Sequence, residues 1–193
     1  YFKDLRDDTY VVFRAYLDGI NENIVPTWAP QDYIGRSEPV YMYQKTERDI
    51  SFNLKLYAQN PEELDALYKK MNRLTSMCYP QYAPDVRIST DQGYGDGTSI
   101  PAIRMKPPLV RFRMGDYFGG NGGDINMMLG FIKSVSYTVP DEGVWETELH
   151  RQKPKLIMAS IQFQVIHEQV PNYMSQFYGK TLPDGIVKEN NLN

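Results

Sequence analysis

The stretch that most limits what this chain can fold into is residues 48–80, RDISFNLKLYAQNPEELDALYKKMNRLTSMCYP. Its first part alternates, with Ile50, Phe52, Leu54 and Leu56 on one side and Ser51, Asn53, Lys55 and Tyr57 on the other. Successive strand side chains point to opposite faces, so this is the pattern of a half-buried strand. The period then changes. Asn60 is placed to cap a helix, Pro61 has the preset φ of a first helical residue, and Glu63 completes a capping box. Leu64, Leu67, Tyr68, Met71, Leu74 and Cys78 recur at spacings of three and four and form one apolar stripe. Leu64, Leu67, Met71 and Leu74 are its expected core, to be buried against a sheet. Acids lead (Glu62, Glu63, Asp65) and bases trail (Lys69, Lys70, Arg73), matching the helix dipole. Asp65 and Lys69 are spaced to pair, and Pro80 sets the stop. The expected helix is about 25 Å long.

A chain of 193 residues is long enough for one domain with a real core. The apolar share of 41%, with 15 Tyr and 8 Phe, is too high for a disordered chain. A formal net charge of −3 argues against a dedicated nucleic-acid binder, which needs a basic surplus to neutralise phosphates. Apolar runs are only a few residues long, so no membrane span is expected. The single cysteine, Cys78, excludes an internal disulfide framework and suits a reducing compartment. No sequon and no signal-peptide pattern are visible. The sequence opens on Tyr1 rather than Met, which leaves targeting open.

Taken in order, residues 1–8 are charged and read as a tail. Tyr10–Leu17 reads as a strand, and Asp18–Pro39, with Pro26, Pro30 and Gly35, as a long loop of the kind that carries interactions. Val40–Gln44 reads as a second strand, with Lys45–Arg48 turning into the long one. After the helix, 81–108 is an irregular insertion in which Val86–Ile88 and Ile100–Ile103 pair as a peripheral hairpin. Leu109–Met114, Met127–Val139, a short piece through Trp145 and Lys155–His167 are further strands. In the last, Ile157, Ala159, Ile161, Phe163 and Val165 share one face. Residues 180–193 read as a second tail. Six or more strands and one helix predict a single mainly β, antiparallel, sandwich- or barrel-like domain over 1–193.

No constellation of catalytic residues emerges. The two histidines, His150 and His167, lie in different segments, and no nucleophile elbow accompanies them. His167 at a strand end reads as a packing residue, and Cys78 on the apolar stripe as an inert thiol. GYGDG (Gly93–Gly97) and GGNGG precede no helix, so neither reads as a phosphate loop. Gly119, Gly120, Gly122 and Asp124 approach a calcium-binding repeat, but one copy cannot stack, and an ordinary turn is expected. Arg111 and Arg113 beside Tyr117 and Phe118 have the composition of a nucleic-acid platform; a solvated strand face or a subunit contact suits an acidic chain better. The expectation is a non-enzyme with no cofactor and no metal.

The run from Tyr33 to Pro80 combines a glycine-containing loop before a strand, a T-x-R-x-I-x-F strand, an E-E-L-x-x-L-Y-x-K-x-N-x-L helix and a Y-P stop. Farther on stand MMLGFIKSVSYTVPDEGVWE and IMASIQFQVIHEQVP. Together these segments, over residues 33–80 and 128–171, resemble the tail-tube-like baseplate proteins of contractile-tailed bacteriophages. The resemblance implies two packed antiparallel sheets with a flanking helix, closed into a homo-hexameric ring around a channel. It implies a structural virion protein of the tail baseplate, assembled in the host cytoplasm, that joins the hub to the tail tube and starts tube polymerisation. Partners implied are its own copies, other tube and hub proteins and the tape measure protein, with DNA only passing through the lumen. The 81–108 insertion departs from the pattern. Alternatives are the main tube subunit, a tube-like domain of a peptidoglycan-binding baseplate protein, and, in another class, a small ligand-binding β module using Asp18–Pro39 and the glycine turn. Candidate contact aromatics are Trp28, Tyr33, Tyr82, Tyr94, Tyr173 and Phe177, carried on segments the strand pattern leaves over.

Overall fold

A computed structural model describes residues 1–82, 86–87, 99–100, 105–115, 117–118, 127–141, 143–147, 152–168, 170–171 and 177. Among the described residues the chain is mainly β and antiparallel, with one helix. Its strands are β1 (Phe2–Asp4), β2 (Tyr10–Val11), β3 (Tyr16–Gln31), β4 (Val40–Tyr57), β5 (Gln81–Tyr82), β6 (Val86–Arg87), β7 (Ser99–Ile100), β8 (Met105–Lys106), β9 (Val110–Phe112), β10 (Met128–Thr138) and β11 (Leu156–Val165), and the helix is α1 (Pro61–Ser76). Seven strands form one sheet in the order β2-β1-β9-β10-β11-β4-β3. Two small ribbons, β5 with β8 and β6 with β7, lie in the 81–108 insertion, and the second of them is the expected peripheral hairpin.

This sheet is rolled, and connectivity alone requires it. Strands β2 and β3 are its two edges, yet only Val12–Ala15 separate them in the chain. Edges of a flat seven-stranded sheet stand about 29 Å apart at the usual strand spacing, whereas this link reaches roughly 17 Å at full extension. The ring centroids of Phe112 on β9 and Phe163 on β11, two strands away, are 5.3 Å apart inside the roll. The concave face carries the core: Ile50, Phe52, Leu54 and Leu56 of β4 alternate with exposed or half-exposed neighbours, as do Ile157, Ala159, Ile161 and Phe163 of β11.

The helix covers the core beside the seam. Leu64, Met71 and Leu74 are buried, with Met77 just beyond the last turn, while Leu67, Tyr68 and Cys78 are only partly so. The Tyr137 hydroxyl meets Thr75 Oγ1 at 3.0 Å and donates to the Met71 carbonyl at 3.3 Å, tying α1 to β10. Two local expectations are corrected. The Asn60 side chain makes no cap bond, and Glu63 instead accepts from the Gln59 amide at 3.0 Å. Asp65 pairs with Lys153 at 3.4 Å, because the β11 approach brings that ammonium closer than Lys69 on its own helix.

Residues 1–8 are not a tail. Phe2 packs in the core, β1 pairs with both β2 and β9, and Asp4 is fully buried. Its carboxylate is satisfied by Arg6 at 2.6 Å and Arg73 at 2.9 Å. Arg6 also donates to the carbonyls of Ser76 and Tyr79, so charges that suggested a solvated tail instead close the C-terminal end of α1. The predicted strand Tyr10–Leu17 is broken by Val12–Ala15, the link across the seam. The strand through Trp145 is a single bridge to Pro154. The tail expected over 180–193 lies outside the described residues.

Candidate interaction surface

The largest departure from expectation lies between Asp18 and Arg48. Asp18–Pro39 is not a long loop: β3 runs to Gln31, and only Asp32–Pro39 turns back. Lys45–Arg48 is not a turn but the middle of an 18-residue strand. Lys45 and Glu47 there are exposed, whereas Arg48 is buried. Pro26 and Pro30 are tolerated because β3 is an edge strand with one side free of ladder bonds. Strand β11 pairs β4 only as far as Asp49, so among the described residues the pairs from Ile24–Arg48 to Gln31–Val40 have no third strand. They form a two-stranded arm projecting about 30 Å from the rolled sheet.

Two bulges decide what the arm shows. Gly19, with φ +60°, occupies the first, between Asp18 and Asn21. At the second, Thr27 faces Lys45 while Trp28 faces Tyr43, so Gln44 is the extra residue. The slip brings Tyr43 and Tyr41 onto the face of Thr46, Arg48 and Ile50, and the Tyr43 hydroxyl bonds Thr46 Oγ1 at 2.7 Å. The core stripe of the roll therefore continues outward as Ile24, Pro26, Trp28, Pro30, Tyr41 and Tyr43. Trp28 and Tyr43 meet edge-to-face with centroids 5.3 Å apart. Outside the roll nothing among the described residues covers this stripe: Trp28 is 54% exposed, Tyr41 62% and Tyr43 54%.

Where the stripe leaves the core, Arg48 pairs with Glu22, both side chains nearly buried. The Gln164 amide donates to the Arg48 carbonyl at 3.2 Å. Phe177 lies under the Arg48 guanidinium at 5.8 Å and edge-on to His167 at 6.3 Å. Burial, and then the Arg48 charge, push the His167 pKa down. This cluster packs the root of the arm against the body.

The convex face of β4, β10 and β11 mixes polar side chains with Tyr57, Phe131 and Met158, and its charges pair with one another. Lys133 pairs with Asp49 at 3.2 Å, Lys55 with Asp18 at 3.5 Å, and Ser160 donates to Asn53 Oδ1 at 2.7 Å. The seam holds a second surface feature, an open groove of about 430 Å³ lined by Phe13, Arg14, Lys55, Tyr57, Leu67 and Lys70, among others.

Of the candidate aromatics, Trp28 sits on the arm, Tyr33 at its tip, Tyr82 is exposed on the β5–β8 ribbon, and Phe177 packs at the arm root. Tyr94 and Tyr173 lie outside the described residues. Tyr41, Tyr43 and Ile24 were missed, since only the register shows that they share a face with Trp28. A ligand surface built on a flexible Asp18–Pro39 loop loses its premise, because most of that stretch is paired strand. Arg111 is bound to Glu168 and Phe118 is fully buried, so the aromatic–arginine platform does not assemble. The Cys78 thiol is pushed up by burial, partly opposed by Arg6, which suits an inert role. His150 and both glycine-rich segments lie outside the described residues. Among the described residues no three His, Cys, Asp or Glu side chains converge as metal ligands, and no helix is long and apolar enough to cross a membrane. No family model matches the chain, and a search of curated proteins finds no match.

Proposed function

We propose that this chain is a structural protein that assembles with its own copies into a ring, acting as a tube-like element of a contractile-tail baseplate between hub and tail tube. The observation that carries self-assembly is the arm. A lone two-stranded hairpin is marginal in water, and this one displays Trp28, Tyr41 and Tyr43 on the continuation of the core stripe. Cover from another chain stabilises both the hairpin and those side chains. The edges of the roll point the same way: β3 offers a long open strand edge, which ring closure would pair. The Ser, Asn, Gln and paired charges of the convex face suit the wall of an aqueous channel. The baseplate assignment itself rests on the sequence resemblance over residues 33–80 and 128–171.

Sedimentation of the full chain combined with electron microscopy tests this reading. The expected result is a closed ring with a central channel, and a hexamer fits the resemblance. A chain that stays monomeric on the order of 100 µM, where even weak specific contacts populate, overturns it. Replacing residues 28–44 by a two-residue Asn-Gly turn, which keeps Thr27 opposite Lys45, should leave the roll folded and abolish assembly.

A further inference from the structure

We infer that the tip of the arm of one copy seats in the seam groove of the next, making a head-to-tail contact. This deepens the self-assembly reading and rests on it. The two surfaces stand at opposite ends of one continuous strand. The tip joins β4 at Val40, and the groove is lined from its other end by Lys55 and Tyr57. Fifteen residues of extended chain separate Val40 from Lys55, roughly 50 Å, so no arm reaches its own groove. A contact between unlike patches at opposite ends is heterologous, and such contacts generate closed rings or open filaments rather than isolated dimers.

Chemistry matches the two ends. At the apex Ile34 is wholly exposed and Tyr33 half so, an apolar pair held away from any core. They are flanked by Asp32 and Glu38, with Arg36 between them. The groove presents apolar surface from Phe13, Leu67 and the Tyr57 ring, rimmed by three cations and the carboxylate of Glu63. Lys55 is engaged by Asp18, and Glu63 by the Gln59 amide. Arg14 and Lys70 are the remaining cations, both exposed. They are placed to meet Asp32 and Glu38 at the rim, while Ile34 and Tyr33 enter the apolar floor. The volume of about 430 Å³ is in the range of clefts that enclose a small organic ligand, enough for two such side chains.

Pairwise cross-linking in a full-length Cys78→Ser background tests the contact. Ile34→Cys protein is mixed with Ala66→Cys protein, Ala66 being an exposed residue of the groove wall, and the mixture is mildly oxidised. Disulfide-linked dimers are expected from this mixture and not from Ile34→Cys mixed with Ser136→Cys, which lies on the convex face. Lys70→Glu added to the groove partner should lower the yield about fivefold, and Asp32→Lys added to the tip partner should restore it. If the wild-type chain assembles but Ile34→Cys links to neither partner, or to both equally, the tip docks elsewhere and self-assembly stands without this contact. If the wild-type chain does not assemble at all, both readings fall.

Discussion

The rings of Phe52 and Phe112 stack inside the roll, centroids 5.1 Å apart and planes 13° from parallel. Their strands, β4 and β9, are three positions apart in the sheet. Flat, those strands would be about 14 Å apart, so the pair measures how tightly the sheet coils. Phe2 joins them from β1, 5.1 Å from Phe112 and 6.3 Å from Phe52.

Phe112→Ala should therefore cost about 3–5 kcal/mol, since it empties the point where both halves of the roll meet. Tyr41→Ala, on the exposed arm, should change the stability of the isolated subunit by no more than about 0.5 kcal/mol. Urea melts of the two variants at low concentration would separate them, and equal losses would mean that the roll does not close on this ring cluster.

On the helix, Leu74 is fully buried whereas Leu67 lines the open groove. Leu74→Ala should cost about 2–5 kcal/mol and Leu67→Ala clearly less, because water already reaches that site. Thermal unfolding followed by circular dichroism gives the ranking.

Gly130 has no room for a side chain. A Cβ there would stand 2.0 Å from the Gln164 carbonyl and 2.6 Å from the Phe163 ring. Gly130→Ala must push β10 from β11 or rotate Phe163, at a cost of about 1–3 kcal/mol or more. Gly35→Ala, at the arm tip, meets nothing in space and strains only its φ of +83°. Comparative denaturation should show the first variant as much the weaker.

Burial alone would raise the Asp4 pKa, but hydrogen bonds from Arg6 and the charges of Arg6 and Arg73 outweigh it and hold the carboxyl below its usual range. A folded-state pKa below the unfolded one gives stability that is present above about pH 4 and is lost as pH falls through the folded value. Asp4→Asn should cost about 3 kcal/mol at neutral pH, mainly because the nearly buried Arg6 loses its carboxylate, while Arg73 keeps Asp7. It should also flatten the stability loss below about pH 4. Urea melts across acid and neutral pH would reveal both effects.

Much of the body was legible in the sequence. The alternation of Ile50, Phe52, Leu54 and Leu56, that of Ile157 to Val165, and the Leu64–Met71–Leu74 stripe all survive in the fold, because each records which side of a local element is dry. What periodicity does not record is which strand pairs with which. Phe2 is one apolar residue in a charged run, and only its place between β2 and β9 makes that run a core strand. Lys45–Arg48 reads as a turn because it is polar, yet in the fold it is strand: Lys45 and Glu47 face water, and Arg48 is buried against Glu22. The outward continuation of the core stripe to Trp28 and Tyr43 depends on a bulge at Gln44, a slip in register that no spacing within one strand reveals. The sequence by itself therefore determined the elements whose burial is local. The roll of the sheet, the buried Asp4 cluster and the reach of the arm were decided by pairings between residues distant in the chain.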